Sequence, residues 1–358
     1  MKVLYIGYYK ESSDWGQFAT NNILALEKAG CDVVCRAIEF GNHETPKRIK
    51  HLENKNLEGV DYCIQHVFPE HMVGTEKFKK NVGYFCNEAV EIDHSTWTER
   101  LSIMDEIWTP YENENLDYKV VPHALDTDRF KNNYSGLSIP SVDHTFKFYN
   151  IVSTLTLPSV IKAFHSEFDV SEPVHLLLQM DLLQASEQKT QELNNFIASI
   201  KEKIGLHQSI HSYKKDFISS HWETEISKLQ FHDYGDCFIS NNVTAASLQD
   251  LEAAAFGSQP IVTKNSASAN LINEATKING TFKSKEKAES SMFASMNNAK
   301  DFTISVCEMD LRRAMREKYE EWSADPMSKI ENRKRGIIDM DRYSLEKSGQ
   351  RMKEALSV

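Results

Sequence analysis

The chain has 358 residues, 41% of them apolar, and its 52 Asp and Glu outnumber 41 Lys and Arg for a formal net charge of −11 at pH 7. That length suffices for two domains with separate cores, while the acidic balance disfavours a large basic track for nucleic acid. No run approaches the ~18 apolar residues of a membrane span. The start MKVLYIGYY reads as a strand rather than a secretory signal, so a cytoplasmic protein is expected. The six cysteines form no CxxC pair, which argues against a structural zinc.

Residues 1–8 are expected to form a strand ending at Gly7, followed by polar KESSDWGQF and an amphipathic helix over roughly Gly16 to Ala29, stopped by Gly30. Further strands are expected at Asp32–Ile38, Val60–Val67, Asn81–Cys86 and Glu106–Thr109, with helical stretches at Thr45–Asn54 and from Trp97 onward. Strands separated by helices imply a parallel, doubly wound sheet whose functional groups gather at strand carboxyl ends. His66, at the end of the third strand, is a candidate catalytic or substrate-positioning group beside Asn87 and Glu88, although a histidine at a strand end is more often a satisfied structural residue. Asn87 and Glu88 follow the fourth, in GYFCNEA, and there a carboxylate meets the crevice directly.

The segment KVVPHALDTDRF (Lys119–Phe130) offers His123, Asp126 and Asp128, but carboxylates in a turn usually cap backbone amides, so no metal is expected there. Polar Asn132–Thr145 reads as a linker. A second domain then opens with a strand at Phe146–Val152, a helix at Ser159–Phe168, a strand at Val174–Met180 and a polar helix at Glu187–Ile204. The most informative stretch is Asp236–Asn270: strand Cys237–Ser240, polar loop, helix Leu248–Phe256, stop at Gly257, strand Gln259–Thr263. Such a βαβ unit points a helix amino-terminus into a crevice, a geometry that favours phosphate. The basic run Lys329–Arg335 reads as a solvated helix face or end, and both TISVCEMDLRRAMREKYEEW and Tyr343–Leu356 read as helical.

The order Glu252, Ala253–Ala255, Gly257, Pro260, Ile261, Val262 resembles the donor-binding motif of GT-B-fold glycosyltransferases of the retaining, group 1 type. VPHALDTDRF and the closing helix are similar as well, and the resemblance spans nearly the whole chain. It implies an α/β GT-B fold: two Rossmann-like doubly wound domains facing a cleft, with a C-terminal helix crossing back. Residues 1–140 would be the acceptor-side domain, 141–336 the nucleotide-sugar domain and 337–358 the helix packing on the first domain. The resemblance also implies that Glu252 binds the donor ribose, that Gly16 touches donor phosphate or acceptor, and that Asn87 or Glu88 contacts the sugar. No metal or other cofactor is implied.

Two positions depart from the family. Thr244 stands where a carboxylate, eight residues before Glu252, would face the transferred sugar. The loop Ser153–Pro158 lacks the arginine and lysine that neutralise the donor pyrophosphate. Donor binding then falls to Ser153, Thr154, Ser240 and amides near Thr244 and Gly257, with Lys264 replacing some of the missing phosphate donors. The function implied is transfer of a sugar from a nucleotide sugar to an unidentified acceptor with retention of configuration. Two alternatives stand beside it: a GT-B-fold binding or scaffold protein that no longer catalyses transfer, and a phage-type enzyme glycosylating DNA bases, against which the acidic balance counts.

Overall fold

A computed structural model of the chain describes residues 1–11, 13–41, 43–85, 94–112, 118–134, 136–139, 141–151, 156–179, 187–203, 216–219, 225–241, 246–284 and 302–357. In chain order the elements are β1 (Lys2–Gly7), α1 (Asp14–Lys28), β2 (Asp32–Ala37), α2 (Lys50–Glu53), β3 (Tyr62–His66), β4 (Lys80–Tyr84), α3 (His94–Ser102), β5 (Glu106–Thr109) and β6 (Lys119–Val120). There follow β7 (Phe146–Ile151), α4 (Leu157–Glu167), β8 (Val174–Gln179), α5 (Glu187–Lys203), β9 (Asp216–Ser219), α6 (Glu225–Tyr234), β10 (Cys237–Phe238) and α7 (Leu248–Ala255). The remainder comprises β11 (Ile261–Thr263), α8 (Ser268–Leu271), β12 (Thr276–Ile278), β13 (Gly280–Ser284), β14 (Phe302–Val306), α9 (Glu308–Ala324), α10 (Ser328–Met340) and α11 (Leu345–Ser357).

The described residues form two compact units. Unit 1 takes in Met1–Arg129 and Met340–Val358; unit 2 takes in Phe130–Ser284 and Thr303–Asp339. Unit 1 carries a six-stranded sheet in the order β2-β1-β3-β4-β5-β6, parallel throughout. The strand order reverses between β1 and β3, so the crevice of this sheet opens at their carboxyl ends, where Gly7 and His66 are register partners. Helix α1 starts where Ser13 accepts a bond from the Gly16 amide, and it buries Phe18, Ala19, Ile23 and Leu26 on the sheet.

Unit 2 carries β10-β7-β8-β9, and a parallel bridge between Ile239 and Ile261 adds β11 and its partner β12 beside β10. The spatial order is therefore that of a dinucleotide-binding sheet, with its switch point between β7 and β10. Phe148, Leu176, Leu178, Val160 and Phe164 fill the core, closed by Leu311 and Met315 of α9.

Helix α11 belongs to unit 1. Its apolar positions Leu345, Gly349, Met352, Ala355 and Leu356 recur at helical spacing, and all are buried. They lie on α1, and Lys353 Nζ donates to the Ala29 carbonyl at 2.8 Å, serving the end of α1. Gly349 makes the approach close: a Cβ there would stand 2.0 Å from the Ala25 oxygen.

Two expectations change. Of the helix expected over Thr45–Asn54 only Lys50–Glu53 forms, because Thr45 Oγ1 is held by Glu53 at 2.5 Å and Pro46–Ile49 makes a turn instead. Residues Thr303–Val306, expected to be helical, belong to strand β14, in keeping with their β-branched content.

Candidate functional site

The crevice of unit 2 is built by asparagines that no motif or spacing singles out. Asn150, buried in β7, donates to the Ile239 carbonyl at 2.8 Å and to Asn241 Oδ1 at 2.8 Å. Asn241, three residues past β10, also accepts from Thr156 Oγ1 at 2.5 Å and donates to the Ile151 carbonyl. These bonds pin together the carboxyl ends of the two strands that flank the switch point. Among the described residues Asn150 Oδ1 has no hydrogen-bond partner, an unspent acceptor at that edge.

Helix α7 begins at the same edge. Ser247 caps it by accepting from the Gln249 amide at 3.2 Å. Asp250, fully buried, accepts from Ser240 Oγ at 2.9 Å and Ser268 Oγ at 2.6 Å. Ser240, expected to face the donor, thus spends its hydroxyl tying the end of β10 to α7. The positive end of the helix, equivalent to roughly half a charge, is aimed where phosphate is favoured.

Glu252 is buried one turn along α7, facing α6. Its carboxylate lies 2.7 Å from Lys228 Nζ and 3.6 Å from His232 Nε2. His232 is fully buried, and burial followed by the nearby Lys228 charge pushes its pKa well below the usual value, so it sits beside Glu252 as a neutral ring. Its other nitrogen is 2.9 Å from the Tyr149 hydroxyl. Lys228 is thus the counter-charge of the motif glutamate. It comes from a different helix, so no local pattern announced it.

The remaining predicted residues divide. Lys264 is exposed at the carboxyl end of β11, with Nζ 3.1 Å from Asn279 Oδ1, on the crevice edge of the sheet. Gly257 is not on that edge. It stops α7 at the opposite end with φ +80°, and a Cβ there would stand 2.5 Å from the Arg333 amide, so its part is a helix stop pressed on α10. Asn87, Glu88, Ser153, Thr154 and Thr244 lie outside the described residues.

In unit 1, Gly16 is in the first turn of α1, and a Cβ there would stand 1.9 Å from the Glu11 carbonyl, so the chain folds directly over it. His66 is fully buried at the end of β3. Its Nδ1 meets Tyr5 Oη at 2.9 Å, and its ring stacks on Trp15 with centroids 5.0 Å apart. Asn22 bridges Tyr5 to His123, whose Nδ1 accepts from it at 3.1 Å. Burial pushes His66 down to about 3, and burial with the neighbouring His66 pushes His123 well below its usual value.

Both rings are neutral when folded and protonate when unfolded, near pH 6.5. Stability is therefore fully present above pH 6.5 and is lost as pH falls toward 3, at up to about 1.4 kcal/mol per pH unit for each histidine. Urea midpoints of unit 1 should fall steeply between pH 6.5 and 4, and His66→Phe should flatten that slope by about one proton. An unchanged slope in the variant would show that His66 does not titrate differently on folding.

No family model matches the sequence, and no curated protein does. Solved structures match along the full chain. A glycosyltransferase from Rickettsia africae superposes with TM-score 0.63 at 10% identity, covering 99% of this chain and 97% of that one. The E. coli trehalose-6-phosphate structure bound with UDP-2-fluoro glucose gives 0.61 at 9% identity, covering 99% of each. Sucrose-phosphate synthase from Thermosynechococcus elongatus gives 0.62 at 10% identity, covering 100% and 98%. The fold is that of the GT-B glycosyltransferases. Among the described residues no helix is long and apolar enough to cross a membrane.

Proposed function

We propose that the chain is a glycosyltransferase that binds a nucleotide-sugar donor in unit 2 and transfers its sugar, with retention of configuration, to an acceptor yet to be identified. The observation that carries this reading is the switch-point crevice between β7 and β10, where the capped amino end of α7 and the Asn150–Asn241–Thr156 set meet in a sheet of GT-B order. The donor diphosphate would rest on the helix end and neighbouring amides, with Lys264 as the cation on that edge, and Glu252 would meet the ribose. In the transfer step the bond from the anomeric carbon to the leaving phosphate oxygen breaks. The bond to the acceptor oxygen forms on the same face, and the acceptor proton passes to the leaving phosphate, so no protein base is required.

One observation favours a second reading, a binding protein without transfer. Glu252 already carries a buried partner in Lys228, and a carboxylate so paired has less to offer a ribose.

A thermal-shift panel with UDP, GDP, ADP, TDP and their sugar conjugates separates the two. One nucleotide should stabilise unit 2 by about 2.7 kcal/mol at 100 times its dissociation constant. A sugar conjugate that binds more tightly than its nucleotide and is consumed in the presence of acceptor supports transfer. Binding without consumption favours the second reading, and no binding by any nucleotide defeats both.

A further inference from the structure

A separate cavity of about 200 Å³ opens in unit 2 at the opposite edge of the sheet, beside the amino ends of β7 and β10. Phe146, Cys237 and Trp322 supply its apolar lining, Lys318, Lys329 and Arg335 its cations, and Asp236 and Glu321 its carboxylates. Helix α10 presents its first turn to the cavity through Ser328, Lys329 and Asn332, and is held hard against α7: a Cβ on Gly336 would stand 1.9 Å from the Ala254 oxygen. The backbone at the rim is strained as well, since Gln259 adopts φ +31°, a left-handed conformation unusual for a residue with a side chain.

The charges around the cavity do not balance. Asp233 is taken by Arg333, and Asp236 by Lys147 at 2.9 Å. Lys318 is paired with Glu321 at 2.8 Å, and Arg335 with Glu274 at 3.1 Å in an exposed contact of the kind that contributes little. Lys329 is left over. Its Nζ donates to the Asp233 carbonyl at 2.6 Å and to the Gly235 carbonyl, and among the described residues no carboxylate lies in ion-pair contact with it. An ammonium has three protons to donate, and two are accounted for here. Lys329 is half-buried with no carboxylate of its own among the described residues, and the helix end beside it adds to the positive potential.

We propose that this cavity binds a small phosphomonoester, with the phosphoryl group between Lys329, Arg335 and the first turn of α10, and the organic part against Trp322 and Phe146. The site is distinct from the donor crevice, because it lies at the strand amino ends rather than the carboxyl ends. The inference does not rest on the proposed transferase activity.

Burial, partly opposed by Asp236 and Asp233 and reinforced by Lys147 and Arg333, holds the Lys329 amine down at about 8. A bound dianion should raise it, so binding at pH 8 should take up about half a proton from solution. Calorimetry of the full chain in two buffers of different ionisation enthalpy, with inorganic phosphate, glucose 6-phosphate and glucose as probes, reads both affinity and uptake.

Phosphate and glucose 6-phosphate should bind with proton uptake, glucose 6-phosphate more tightly, and glucose not at all. Arg335→Gln, at an exposed position, should weaken binding about fivefold without touching the fold, and Lys329→Met should weaken it at least tenfold and abolish the uptake. Binding that is absent at millimolar concentrations, equal for glucose, unchanged in both variants or free of proton uptake would overturn the site. Glucose 6-phosphate binding no tighter than phosphate would overturn the part assigned to Trp322 and Phe146.

Discussion

Gly349→Ala should destabilise unit 1 by about 3 kcal/mol, the upper range for overpacking a close contact. Helix propensity alone predicts the opposite sign, since alanine in place of glycine gains up to about 1 kcal/mol in an exposed helix. Packing decides. The added methyl would stand 2.0 Å from the Ala25 oxygen, 2.6 Å from the Ala25 carbonyl carbon and 3.2 Å from the Ala29 Cβ, and two of those three atoms are backbone that cannot rotate away. Helix α11 must lift, drawing Met352 and Leu356 from the core and stretching the Lys353 bond to Ala29. Calorimetry should show the unit 1 transition lowered by roughly 6–12 °C. A variant as stable as the parent, or more so, would mean that the two helices do not approach so closely.

The second large effect is expected at Glu252. Glu252→Ala removes the partner of Lys228, whose side chain is only 11% exposed, and leaves a buried ammonium beside a neutral histidine. Breaking one half of such a pair costs about 3–5 kcal/mol, most of it from the charge left behind. Loss of nucleotide binding in this single variant would therefore be ambiguous, because unit 2 itself is weakened. The double variant Glu252→Ala, Lys228→Met removes both charges and should recover most of the stability. Urea denaturation and nucleotide titration on the same two proteins separate the roles: stability restored with binding still lost assigns Glu252 to the donor. A double variant that binds nucleotide like the parent would strip it of that role, and a stable single variant would show that the ion pair does not form.

Much of the fold was readable because it rests on local signals. Five of the six strands of unit 1, the glycine that ends α7 and the alternation of strand and helix are written in hydrophobic period and breaker residues, and the structure follows them to within a few residues. The exceptions have local causes of another kind. Thr45 prefers a side-chain bond to Glu53 over the helix that its neighbourhood suggests. The crevice was harder to read. Asn150 and Asn241 meet only because β10 lies beside β7, a pairing across some ninety residues that composition cannot reveal. Lys228 finds Glu252 from another helix, and Gly257 sits in the donor motif by sequence yet at the far end of α7 in space. Short spacing along the chain placed such residues in one motif, but a helix carries its two ends to opposite edges of the sheet.

The docking of α11 on α1 also dictates an order of events during synthesis. Strands β1–β6 and helix α1 leave the ribosome first, yet the face of α1 that meets Gly349 and Met352 has no cover until the whole of unit 2 has been made. Unit 2 has its own core and needs nothing that is translated later than Asp339. The part of the protein made second is therefore the part that can mature first, and the opening segment must wait with an apolar stripe exposed, the condition in which nascent chains are most in need of chaperones.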